Sequence, residues 1–93
     1  MKKAYISQPM RGLDDAQIDL ARSRAEEAVR GDGYDPIDRP YKPSSTPLEA
    51  LGRSLASMAD ADAAYFCKGW ESARGCRIEH QAAVEYGIEC LYE

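Results

Sequence analysis

Cys76, Glu79, Ala82, Ala83 and Tyr86 fall at intervals of three and four, so any helix that carries them presents them on one face. All but Glu79 suit a face turned towards a sheet. A carboxylate in that position costs desolvation unless something satisfies it or uses it. Two readings stand side by side. The side chain can bend to water or pair with Arg74 or Arg77, or it can be a positioned nucleophile or base. Glu79 lies one turn past the expected helix start, which brings it towards the positive end of that helix and the crevice beside it.

Two loops hold the other groups with chemical potential. Ser7-Gln8-Pro9-Met10-Arg11-Gly12 combines a hydroxyl, a guanidinium fork and a turn glycine, an inventory that can hold phosphate. It matches no Walker or G-x-G-x-x-G pattern, and a strand-to-helix turn with a surface arginine accounts for it as well. Gly69-Trp70-Glu71-Ser72 includes the only tryptophan, which can stack on a base or ribose or seal the end of the core. Gly75, at the start of the next helix, lets backbone approach a ligand closely. His80, the only histidine, is turned about 100° from Glu79 around the helix and is expected to serve different surroundings. Cys67, Cys76 and Cys90 form no C-x-x-C pair, so neither a metal centre nor a disulfide framework is expected, and the chemistry calls for no cofactor.

The elements that must position these groups alternate along the chain. Residues 3 to 7 make a β-prone run ending before Pro9, which cannot donate to a ladder. Asp14 with Gln17 gives a capping box, and Ile18, Ala21, Ala25, Ala28 and Val29 continue as an apolar stripe, predicting a helix over 15 to 30. Residues 34 to 37, interrupted by Pro36, read as an edge strand. Residues 38 to 46 carry prolines, hydroxyls and charges without periodicity, a loop long enough to act as a lid. Thr46-Pro47-x-Glu49 opens a second helix that runs to about Ala59. Residues 61 to 67 read as a central strand covered on both faces; 75 to 86 form the third helix, ended by Gly87; and 88 to 92 form a last strand. Asp60 is expected to end the second helix and Asp62 to enter its strand at the end away from the crevice.

This β-α-β-α-β-α-β order predicts an α/β fold, a small doubly wound parallel sheet of flavodoxin-like or Rossmann-like type with four strands in the order 2-1-3-4 and helices on both faces. Ligands in such sheets bind outside the carboxyl ends of the strands where the order reverses, which nominates the loops from Ser7 to Gly12 and from Lys68 to Gly75. The chain has 93 residues, 44% of them hydrophobic, which suits one domain over 1 to 93. A core of that size gains from a partner, so a homodimer or higher homo-oligomer is expected.

The formal charge of −4 argues against nucleic acid as a partner, since such binding rests on a basic surface. The excess is local: residues 1 to 77 hold 12 acidic and 12 basic groups, and Glu79, Glu85, Glu89 and Glu93 supply the rest. No apolar run approaches ~20 residues, so no membrane association is expected, and the start MKKAYIS lacks a signal-peptide core, pointing to the cytoplasm.

Tyr5-Ile6-Ser7-x-Pro9-Met10, together with Ala61-Asp62 through Gly69-Trp70-Glu71, Gly75 and Glu79, resembles the nucleoside 2-deoxyribosyltransferase-like superfamily, in particular its short bacterial and phage-associated branch. The resemblance spans nearly all of the chain. It implies the doubly wound fold and enzymes that cleave or exchange the N-glycosidic bond of deoxynucleosides or their 5′-phosphates. It also implies that Glu79 attacks the anomeric carbon, that Tyr5 borders the site, that Arg11 and Gly12 form the phosphate-side loop, and that Gly75 is the glycine four residues before the nucleophile. Two positions depart from the pattern. Gln8 replaces the usual glycine of the first motif, and Ser54 replaces an aspartate that assists the leaving base. A serine cannot act as a carboxylic acid, so that help falls to Glu71 or water.

The functional expectation is a nucleoside or nucleotide N-glycosidase or deoxyribosyltransferase-like protein, with Glu79 and Glu71 as catalytic residues. Tyr5, Ser7, Gln8, Met10, Arg11, Gly12, Gly69, Trp70, Ser72 and Gly75 are expected to bind a small-molecule nucleoside or nucleotide. A non-catalytic nucleotide-binding module is the second expectation. A protein-interaction domain using the acidic last helix is the third.

Overall fold

The computed structural model describes residues 1–39 and 46–93. Four strands, β1 (Lys2–Ser7), β2 (Tyr34–Pro36), β3 (Ala63–Phe66) and β4 (Glu89–Tyr92), form one sheet in the order β2-β1-β3-β4. Every pairing is parallel, with Ala4 beside Ala63, Ser7 beside Phe66 and Phe66 beside Tyr92. The α/β architecture and strand order are therefore those the alternation predicts. Pro36 lies on β2 at the sheet edge, where its missing N–H costs no ladder bond on the open side.

Helix α1 (Asp15–Gly31) begins with the expected capping box: Asp14 Oδ1 accepts from the Gln17 amide at 2.8 Å and Gln17 Oε1 accepts from the Asp14 amide at 3.0 Å. Helix α2 (Pro47–Met58) begins the same way, through Thr46 and Glu49. Helix α3 (Arg74–Glu85) follows a short 3₁₀ turn at Trp70–Ser72 and has Ala73 at its cap position, with no side chain satisfying its first amides. Sequence periodicity does not resolve a turn as short as that 3₁₀ segment. Helix α3 starts one residue earlier than expected, and β3 two residues later, because Asp62 is used outside the strand. Its Oδ2 accepts from the Lys3 amide at 2.8 Å while its own amide bonds the Lys3 carbonyl.

Alternation along the strands divides the core in two. Ala4, Ile6, Ala63 and Tyr65 face α1, where they meet Ala25 and Val29. Tyr5, Ala64 and Phe66 face the other way, against Met58 of α2 and Ala83 of α3. Ser7 follows Tyr5 by two residues and so belongs to the second face, at the carboxyl end of β1. The lid expectation falls largely on residues 40–45, outside the described residues. Among the described residues no helix is long and apolar enough to cross a membrane.

Phe66 is fully buried, and its ring meets Trp70 at 5.5 Å, His80 at 4.9 Å and Tyr92 at 5.9 Å between centroids. Truncation there removes the centre of the cluster that joins β3, β4 and α3. Phe66→Ala is expected to cost about 3–5 kcal/mol, measured by urea denaturation.

Candidate active site

Glu79 sits five residues into α3, on the face that packs against the sheet, and only 7% of it is exposed. It neither bends to solvent nor pairs with Arg74 or Arg77. Instead the Ser7 hydroxyl donates to Glu79 Oε1 at 2.6 Å, a buried bond between the end of β1 and the first turns of α3. The hydroxyls of Tyr5 and Ser54 also stabilise the anion, after Ser7. Burial outweighs all three, so the carboxyl is held above the usual carboxylate range. The Tyr5 phenol is pushed well above its ordinary value, first by its own burial and then by the charge of Glu79. Burial also raises the Cys76 thiol, which the Ser7 hydroxyl partly offsets.

Above this cluster opens a cavity of about 660 Å³, a size suited to a small organic ligand. The loop after β1 contributes Gln8, Pro9, Met10 and Arg11; α2 contributes Pro47, Ala50, Leu51 and Ser54; and Gly69, with Ser72 through Arg77, closes the third side. Among the described residues of this lining Glu79 is the one acid, against three arginines, Arg11, Arg74 and Arg77. Arg11 and Arg74 make no ion pair with the described residues. The start of α3 adds unpaired backbone amides and carries no acid in its first turn, so the same wall gains the positive end of a helix dipole. Gln8 is 6% exposed; its Nε2 donates to the Ile18 carbonyl at 3.1 Å, and its Oε1 is buried without a partner. The added bulk of this residue is thus folded against α1 and does not fill the turn.

Gln8, Met10, Arg11, Gly69, Ser72, Gly75 and Glu79 come together as the sequence suggests, with Ser7 and Tyr5 behind the carboxylate. Glu71, Trp70 and Gly12 do not join them. Glu71 is exposed, outside the lining, and its carbonyl accepts from Arg77 Nη1 at 3.2 Å. Trp70 stacks on His80 with centroids 4.1 Å apart and lies 5.9 Å from the Tyr92 ring, sealing the core in place of lining the cavity. Gly12, at φ +82°, shapes the turn before α1. His80 is directed away from the cavity, with Nε2 and the Tyr92 hydroxyl 2.7 Å apart.

Sequence reading did not single out Arg74, Arg77 or Cys76 as lining the cavity, and of α2 it placed only Ser54 at the site, through the resemblance. For the two arginines a signal existed, since Gly75 and Glu79 fix which end of α3 faces the crevice. For Pro47, Ala50 and Leu51 of α2 there was none, because only packing decides which of its turns meets the site. The acidic tail is largely engaged by the fold. Glu89 accepts from the Tyr34 hydroxyl, Glu93 accepts from the Lys68 amide, and Glu79 is buried, which leaves Glu85 as the exposed carboxylate of α3. Among the described residues no three His, Cys, Asp or Glu side chains gather as a metal site.

Residues 2–92 match the family model of a domain of unknown function, DUF4406, and the chain belongs to that family. No curated protein and no solved structure matched it.

A carboxyl whose folded pKa lies above its unfolded value keeps its proton longer in the native state, so stability falls as pH rises through the window between the two values. The wild-type protein is expected to lose stability across the window that opens at the ordinary glutamate range and closes at the raised value of Glu79. Glu79→Gln should remove that component of the slope, and Ser7→Ala should widen the window by removing a donor to the anion. Urea denaturation from pH 4 to 8 provides the check, and parallel slopes in wild type and Glu79→Gln would contradict the assignment.

Proposed function

We propose that the protein is an N-glycosidase or deoxyribosyltransferase-like enzyme acting on a (deoxy)nucleoside or its 5′-monophosphate, with Glu79 as the nucleophile at C1′. The observation that carries this reading is a buried carboxylate, oriented by Ser7 at 2.6 Å, on the floor of a cavity walled by arginines. Covalent attack needs a carboxylate held in one orientation and shielded from water, and the hydroxyl donors supply the orientation without neutralising the charge. Attack at C1′ gives a glycosyl ester on Glu79. Water then resolves it in a hydrolase, or a second base in a transferase, by the two-step logic of retaining glycosidases.

A phosphate at the sugar's 5′ position fits Arg11, Arg74 and the amides that open α3, where bidentate arginine contacts and the helix dipole act together. Tyr5 is a positioning residue behind the carboxylate. Self-association of the chain and a cytoplasmic setting belong to the same reading.

A second reading is a non-catalytic nucleotide-binding module. It is favoured by one specific observation: Glu71, the candidate for proton transfer, lies outside the cavity lining, while Ser54 occupies it. The two readings separate in one experiment. Incubation with deoxynucleosides and their 5′-monophosphates, followed by chromatography, should release free base, and Glu79→Gln should reduce that release ~10³-fold or more. A ligand-dependent rise in melting temperature with the ligand left intact would instead establish the binding module.

A further inference from the structure

The cavity is divided in charge. Its floor holds one carboxylate, and its wall carries Arg11, Arg74 and Arg77. Among the described lining residues there is no second carboxyl and no imidazole, and residues 40–45, Pro-Tyr-Lys-Pro-Ser-Ser, contain neither. The carboxyl and imidazole that the sequence offers beside the site are placed elsewhere. Glu71 is exposed beyond the lining, and His80 is held between Trp70 and the Tyr92 hydroxyl. Cys76 lines the cavity, but burial pushes its thiol up, as it does the Tyr5 phenol behind the carboxylate, so neither gives up a proton readily.

One carboxyl cannot serve as nucleophile and acid in the same step. Attack requires Glu79 ionised, whereas protonating a departing base requires it neutral. An uncharged purine or pyrimidine that leaves without a proton departs as an anion, a costly leaving group. A base that already carries a positive charge departs neutral, because the electron pair of the breaking bond cancels that charge.

Resting on the glycosidase reading above, we propose that the site takes nucleotides with a cationic base, namely N-ribosylpyridinium or N7-alkylpurine 5′-phosphates, with C1′ over Glu79, the cationic ring on the opposite side of C1′ and the phosphate against the arginines. Such a ligand is zwitterionic in the same sense as the cavity. A fixed cation beside Glu79 also offsets the burial that disfavours its anion, so the ionised nucleophile is favoured once substrate is bound. In the first step a Glu79 carboxylate oxygen bonds to C1′ as the C1′–N bond breaks, and its electron pair neutralises the ring. In the second, water attacks C1′, the ester bond to Glu79 breaks with return of the carboxylate, and the proton of the water passes to solvent. The sum is cationic nucleotide plus water giving neutral base, sugar phosphate and one proton.

The test compares matched pairs at pH 7: 7-methylguanosine 5′-monophosphate against guanosine 5′-monophosphate, and nicotinamide mononucleotide against adenosine 5′-monophosphate. Base release is followed by chromatography, with Glu79→Gln as control. A general acid contributes about 10²–10⁴-fold in sites that have one, so without one kcat/KM is expected to favour the cationic member by about 10²-fold or more, and to collapse in Glu79→Gln. Equal kcat/KM for both members would show that the site aids a neutral leaving base, and would overturn the cationic-base proposal while leaving the glycosidase reading standing. Thermal shifts by these nucleotides without cleavage of any would overturn the glycosidase reading, and the proposal with it.

Discussion

The hydrogen bond from Ser7 to Glu79 joins residues 72 apart in sequence, and the arrangement of the site depends on it. A carboxylate that is 7% exposed is tolerable only where donors replace the water it has lost. Ser7 meets that need from the end of β1, with Tyr5 and Ser54 in support. Satisfying Glu79 therefore fixes three things together: how α3 is rotated about its axis, how far it lies along the sheet, and which turn of α2 approaches it. The start of α3 and the loop after β1 then open onto one cavity.

The two faces of the sheet are used differently. On the α1 side the buried set is built mainly from small and aliphatic side chains with two tyrosines, a face devoted to packing. On the other side Met58, Phe66 and Ala83 give way to Tyr5, Ser7 and Glu79 towards the carboxyl ends of the strands. The aromatic group of Phe66, Trp70, His80 and Tyr92 braces the flank of α3 next to the one that carries Glu79. Adjacent residues of one helix thus serve separate ends: Glu79 is held by hydroxyls, and His80 by rings.

Charge is sorted in the same way. The net acidity of the chain comes from its last sixteen residues, yet Glu89 and Glu93 accept hydrogen bonds from Tyr34 and Lys68, and Glu79 lies in the site. The cavity wall is cationic although the protein as a whole is anionic. An anionic ligand would be drawn to that wall by local groups against the overall charge. Local charge dominates because surface fields are screened beyond about 8–10 Å at moderate salt.

By itself the sequence determined the elements, their order and the two loops at the crevice. Capping boxes at Asp14 and Thr46, the stripe of α1 and the proline in β2 are local signals, and local signals act wherever the chain is placed. It also singled out Glu79, because a carboxylate on an apolar face is out of pattern. What only the tertiary structure decided was which side chains meet. Trp70 and Glu71 sit in a glycine-flanked loop that reads as ligand-facing, but the 3₁₀ turn at Trp70–Ser72 directs the indole onto His80 and leaves Glu71 outside the lining. Arg74, Arg77 and Leu51 reach the cavity only because α3 and α2 dock with particular rotations, and Gln8 keeps the turn open only because Ile18 offers its carbonyl. Periodicity specifies the face that a helix buries; the neighbours that face meets, and the direction of a residue outside regular structure, are set by packing between segments distant in sequence.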